Sequence, residues 1–342
     1  MKHKPQTLTS WVSLAALAVF AAAITIGPLC PVSLFAQPQS GDTQSGLAKS
    51  DLTSQQVFEE ISTTLNGLDS LSCELNQTID MAGKRFQAVG KYIQATGNRM
   101  RLEYRIFPIR ATNASDVAAS AIDSEPADTS GVKITGSLTQ VSDGSVLWSY
   151  WINGDQKKLT RRNIQEILEA AEQVSGYGTV KGLQDLGVGG LQALMANLQA
   201  GMEFGAVREQ TVGNTKLLVL SGRWTKQSRK DIFKIPEDSD ASLPDYLPDY
   251  VRLYIDAEAM LPRRVQYLKK HPNPEQKQIR PLITLDFRAL KPNVAVQDST
   301  FEFVRPEDEK VVETDLTSQV IDTIKATAGI KGAAVDAVEP QK

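Results

Sequence analysis

"NRMRLEYRIF", Asn98–Phe107, alternates almost without a break: Met100, Leu102, Tyr104 and Ile106 point one way, and Arg99, Arg101, Glu103 and Arg105 the other. A strand repeats every two residues, so this stretch predicts one face in a core and one in water. Such a wetted face belongs to an antiparallel sheet, because strands of a buried parallel sheet read as continuous apolar runs. Immediately upstream, "LSCELNQTIDM" and "KRFQAVGKYIQA" follow the same period and are joined by Ala82-Gly83, a hairpin-like turn. Cys73 shares a face with Leu71, Leu75, Ile79 and Met81, which reads as a small buried core residue.

Further upstream the period changes. "DLTSQQVFEEISTTLNGLDSL" sets Val57, Ile61, Leu65 and Leu68 on one helical stripe, with Asp51 or Thr53 as cap and Gly67 near the end. Residues 37–50 are polar, Gly/Ser-rich and aperiodic, the composition of a linker. Residues 1–36 join a basic start, an apolar run from Trp11 to Ile26 and a breaking Gly27-Pro28, the layout of a secretory signal peptide. The run is shorter than the roughly 20 residues of a membrane span, which favours cleavage, after Ala36, over an anchor. Of two cysteines, Cys30 would leave with that segment, so Cys73 would have no disulfide partner.

Downstream, residues 108–134 lose periodicity and predict a long surface loop. "GSLTQVSDG" and "SVLWSYWING" are strands around an Asp143-Gly144 turn, with Trp148 and Tyr150 on one face and Trp151 on the other; Asn153-Gly154-Asp155 is a second turn. "RRNIQEILEAAEQV", with an Asn163–Glu166 capping box, and "LQALMANLQAGM", with Leu191, Leu194, Met195 and Leu198 in step, are helices. The glycines between them, from Gly176 to Gly190, follow no strand and lack a closing Lys-Ser/Thr pair, so they predict a flexible connection instead of a phosphate loop. "TKLLVLSGRW", "DYVRLYIDAE", "LPRRVQYLKK", "LITLDFRAL" and "STFEFV" read as five closing strands. The order helix, five strands, helices, five strands predicts an α+β fold: a single curved antiparallel sheet with helices against one face.

Three stretches resemble the LolA-like family of periplasmic lipoprotein carriers. They are the helix-to-strand segment from "LNGLDSL" to "NRMRLEY", the hairpin "VSDGSVLWSYW", and "STFEFVRPEDEKVVE". The resemblance implies an open half-barrel over 51–314 with covering helices on its concave face; 108–134 is an insertion without counterpart in the compact carriers, and 315–342 reads as a short helix and flexible tail. It departs from the family where Thr96-Gly97 stands in place of an Arg-Pro pair whose arginine helps hold the helical lid, and where Arg305-Pro306 stands in place of Pro-Pro. The function implied is carriage of lipid or lipoprotein acyl chains across the periplasm between membrane-bound donor and acceptor proteins, by a monomer without a cofactor. In such a cavity an acyl chain is buried at about 0.8 kcal/mol per methylene. The expected apolar lining is Leu75, Ile79, Phe86, Met100, Leu102, Tyr104, Trp148 and Leu218, with Leu191, Leu194 and Leu198 from the lid.

Composition narrows the alternatives. The 342 residues carry 37 basic and 40 acidic side chains, a net charge of −3, with no sign bias towards nucleic acid or an anionic membrane. Two histidines, His3 and His271, supply neither a catalytic triad nor a histidine metal site. Asp143, Asp256, Asp286 and Glu302 lie on or near strands, but no spacing selects an acid–base pair, and Asp143 and Asp256 hold turn positions. The alternative to a carrier is a protein-binding sensor or regulator on the same fold; relatives of that kind carry an additional C-terminal domain, for which the residues after Glu313 are too few.

Overall fold

A computed structural model describes residues 52–81, 84–109, 134–173, 190–233, 235–236, 243–271, 278–307 and 311–325. The expected signal peptide, linker and Ala82-Gly83 turn, nearly all of the expected loop, the glycine run before Gly190 and the tail beyond Lys325 lie outside the described residues.

Helix α1 (Ser54–Asn66) is the first described element. Thr53 caps it through a capping box with Gln56, and Val57, Phe58, Ile61 and Leu65 form its buried stripe. Five antiparallel strands follow: β1 (Ser70–Met81), β2 (Lys84–Ala95), β3 (Arg99–Pro108), β4 (Gly136–Asp143) and β5 (Val146–Asn153). A sixth, β6 (Gln156–Asn163), pairs with β5 and leads into α2 (Ile164–Glu172). After α3 (Gly190–Gly201) come β7 (Met202–Phe204), β8 (Arg208–Val212) and β9 (Thr215–Trp224), then α4 (Lys226–Phe233). Strands β10 (Tyr250–Asp256), β11 (Pro262–Lys270) and β12 (Ile279–Pro292) lead to β13 (Glu313–Asp315), and residues 317–325 form the last described helix, α5.

The sheet order is β13-β6-β5-β4-β3-β2-β1-β12-β11-β10-β9-β7, with β8 beside β7 against β9. It is an open, curved α+β sheet, antiparallel except where β13 runs parallel to β6. The registers Leu75↔Phe287 and Ile79↔Ile283 join the N-terminal and C-terminal strands. On one face, here called inner, Leu75, Met100, Leu102, Leu218, Leu253 and Phe287 form one cluster with α1, α2 and α3. Ile324 of α5 is buried in the same cluster, so α5 packs against the sheet domain.

Nine of the expected strands form and one does not. "STFEFV" is a 3-10 turn over Asp298–Phe301 followed by an irregular strap. Its aromatic alternation anchors the strap to the outer face: Phe301 is buried beneath the Arg99 guanidinium at 5.3 Å, and Phe303 stacks on Trp148 with ring centroids 5.1 Å apart. Arg101 donates to the Thr300 and Glu302 carbonyls, which completes the attachment.

The sequence reading passed over β6, β7, β8, β13 and α4. In β6 ("QKKLTRRN") only Leu159 and Thr160 are buried, and β8 lies at the sheet edge with Arg208 to Thr211 exposed. Neither has the apolar alternation that marks a half-buried strand. The Asn163 cap forms as expected at Glu166, but the Asn163 backbone N–H donates to Thr317 Oγ1 and so ties α2 to the start of α5.

The candidate ligand cavity on the inner face

The inner face is covered diagonally. Asn66, at the end of α1, accepts from Gln192 of α3 at 2.6 Å, and at the start of α1 Phe58 packs on Phe204 with ring centroids 4.9 Å apart. The first turn of α3 rests on β2: Tyr92 Oη donates to Gln94 Oε1 at 2.7 Å, and the Leu191 amide approaches the same oxygen at 3.4 Å. A Cβ on Gly190, where φ is +53°, would lie 1.9 Å from Tyr92 Oη, so only glycine permits this approach.

At the end of the sheet where β1 meets β2 and β3 meets β4, residues of β1 to β5 line a cavity of about 40 Å³. Ile79, Phe86, Ala88, Ile106 and Trp151 give it apolar walls, Gln77 presents an amide, and Thr135, Gly136, Ile152 and Asn153 complete the lining. Small-molecule sites occupy roughly 300–1,000 Å³, so this space admits water and not an acyl chain. No described residue lining it carries a charge.

The expected lining residues divide into three groups. Ile79 and Phe86 line the cavity. Leu75, Met100, Leu102, Tyr104, Leu191, Leu194, Leu198 and Leu218 are buried in the core cluster where helices meet sheet. Trp148 is placed on the outer face against Phe303, away from the cavity, and Trp151 faces inwards in its stead. Sequence reasoning passed over Gln77, Ala88, Ile106 and Trp151 as lining. Their signal was the period of two, which puts Gln77 in step with Leu75 and Ile79, and Ile106 in step with Tyr104.

The inner face is a poor solvent for charge. Burial, with a smaller contribution from Glu74, pushes the Cys73 thiol up to about 12. Burial likewise raises the Tyr92, Tyr104 and Tyr267 hydroxyls above their ordinary value. Arg162, paired in register with Leu147 far from the cavity, is lowered by the same desolvation.

The carboxylates considered for acid–base work have structural tasks. Asp143 Oδ1 accepts from the Ser145 and Val146 amides at 2.7 and 2.8 Å, and Asp256 Oδ1 from those of Glu258 and Ala259 at 3.0 Å. Asp286 is held in a buried two-pronged pair with Arg264. Glu302 is exposed on the outer strap.

Fold and cavity together define a class: an open antiparallel half-barrel whose inner face is roofed by helices. No protein-family model matches the sequence, and no curated protein matches it. Among solved structures, LprF from Mycobacterium bovis is 11% identical, the match covering 71% of this chain and 94% of LprF with a TM-score of 0.34. The lipoprotein LppX from Mycobacterium tuberculosis is 11% identical over 72% of this chain and 99% of its own, also with a TM-score of 0.34. A LolA superfamily protein from Nitrosomonas europaea is 10% identical over 74% and 98%, with a TM-score of 0.26. Scores this low leave the function to be read from this chain's own residues.

Proposed function

We propose that this protein is an exported carrier that takes up acyl chains of lipids or lipoproteins in its half-barrel and moves them between membrane-bound donor and acceptor proteins, without covalent chemistry. The observation that carries the proposal is the inner face itself: a continuous apolar surface roofed by helices, opening at one end into an uncharged cavity. An apolar ligand that replaced the helices on that surface would keep it out of water, so loaded and empty forms could both be stable. Acid–base chemistry finds no support there, since Asp143, Asp256 and Asp286 are engaged in turns and an ion pair.

The test is to express the full chain in a bacterial host, recover it from the extracytoplasmic fraction, and extract its bound lipid for mass spectrometry. Co-purifying acyl lipid at a fixed ratio is expected. Protein that carries none, and that fails to enhance the fluorescence of diphenylhexatriene, overturns the carrier reading. A second reading, docking of a protein partner, is favoured by Val304 and Val312, which are 83% and 80% exposed beside the outer strap. A single stoichiometric protein in a pull-down, lost in a Val304→Asp/Val312→Asp variant, would promote it.

A further inference from the structure

Gln77 stands out on the inner face. It lies in register between Ala88 of β2 and Leu285 of β12, with Leu75 and Ile79 on either side along its own strand. Its side chain lines the cavity and the residue is 3% exposed; no side chain or backbone group among the described residues is seen to pair its carboxamide, which is reached from the cavity and is not sealed from it. A carboxamide facing a water-sized space keeps its hydrogen-bonding capacity for water or for a polar group of a ligand. By contrast, the other buried glutamines among the described residues are paired: Gln87 on the outer face donates to Asn76 Oδ1 at 2.9 Å, and Gln140 to Ser149 Oγ at 3.2 Å.

We propose that Gln77 is the polar anchor of the cavity and that the acyl cargo is held by an uncharged carbonyl linkage, an ester or amide, in preference to a free fatty-acid carboxylate. This inference rests on the carrier reading and narrows it to a ligand class. A primary amide offers two N–H donors and a carbonyl acceptor, which suit a neutral carbonyl oxygen or a neighbouring hydroxyl. Thr135 Oγ1 donates to the Ile106 carbonyl at 3.2 Å, which leaves its lone pairs open to a hydroxyl of the cargo at the mouth. A carboxylate would enter with no counter-charge from the described lining, which holds no lysine, arginine or histidine, and an uncompensated anion in an apolar site is strongly disfavoured. A site built around a polar group discriminates against a ligand that leaves that group unpaired, so Gln77 sets specificity while the walls supply affinity.

The experiment compares three probes on the folded full chain near pH 8: diphenylhexatriene by direct fluorescence, then monopalmitoylglycerol and palmitate by its displacement. Wild-type protein is expected to bind the ester about tenfold more tightly than the ionised acid. Gln77→Leu, with Gln77→Met as a second variant in case leucine disturbs folding, is expected to weaken the ester about fivefold and leave diphenylhexatriene unchanged. Palmitate bound as tightly as the ester, or both variants binding the ester like wild type, overturns the inference while the carrier reading stands. Failure of all three probes to bind overturns the carrier reading and this inference with it.

Discussion

Asp143, Gly144 and Ser142 show how much structure three residues specify. The Asp143 carboxylate ties up two amides of its own turn, Gly144 sits at φ +100° against the Gly97 carbonyl, and Ser142 Oγ donates to the Asn98 carbonyl at 2.7 Å. The hairpin is thereby bonded to the Thr96-Gly97-Asn98 turn that stands where the resembling carriers have Arg-Pro. The turn was legible in the sequence because Asp-Gly has few other uses. Which tryptophan of "VLWSYW" faces inwards was not, since alternation separates two faces without saying which one the helices cover.

Cys73 carries the prediction at this scale. Its thiol is raised from 9.0 to about 12, so the folded protein holds that proton more tightly than the unfolded chain does. The stabilising contribution is fully present below pH 9 and is lost as the pH rises from about 9 towards 12, with buried Tyr92 and Tyr267 acting in the same direction. Urea unfolding midpoints are expected to be flat near neutrality and to fall above about pH 9, less steeply in Cys73→Ala. Cys73 of the native protein at pH 8 is expected to resist a thiol reagent that labels it readily in urea.

At the scale of elements, the long strands and the helices were readable because burial on one side leaves a regular imprint. Strand β6 lacks that imprint, since four of its eight residues are exposed and only Leu159 and Thr160 are buried, and the sheet places it by backbone pairing. The strap over residues 298–306 misled for the opposite reason. Phe301 and Phe303 alternate as in a strand, but each is an anchor on the outer face, and the partners that hold them, Arg99 and Trp148, are remote in sequence. The two anchors differ in depth: Phe301 is 1% exposed and Phe303 is half-buried. Phe301→Ala is therefore expected to cost about 3–5 kcal/mol of unfolding free energy and Phe303→Ala about 1 kcal/mol, by urea denaturation followed through tryptophan fluorescence. Equal losses would mean that the strap's aromatics act as one unit.

At the scale of the molecule, the decisive quantity is the mismatch between a cavity of about 40 Å³ and any acyl chain. Sequence periodicity tells which residues avoid water and is silent on whether a helix or a ligand keeps them dry, so the closed state was not readable from it. On the proposed carrier reading, loading requires a helix to lift, and connectivity selects which end. The C-terminal residue of α3, Gly201, runs directly into β7, and the end of α1 is joined to β1 through Gly67–Asp69, so both of those ends are fixed to the sheet. The first turn of α3 is held by the Gln94 oxygen and by Gln192 on Asn66. Because Asn66 is fixed to β1, a short bismaleimide between Asn66→Cys and Gln192→Cys would pin that turn to the sheet; Cys73, at 2% exposure, is shielded from the reagent. Cross-linked protein is expected to take up diphenylhexatriene about tenfold more slowly than the same variant left unlinked, while Gln94→Leu, which removes the acceptor beneath α3, takes it up faster than wild type. Uptake unchanged by the cross-link would place the opening elsewhere, at α2 or α5, whose attachment to the sheet runs through Asn163 and Thr317.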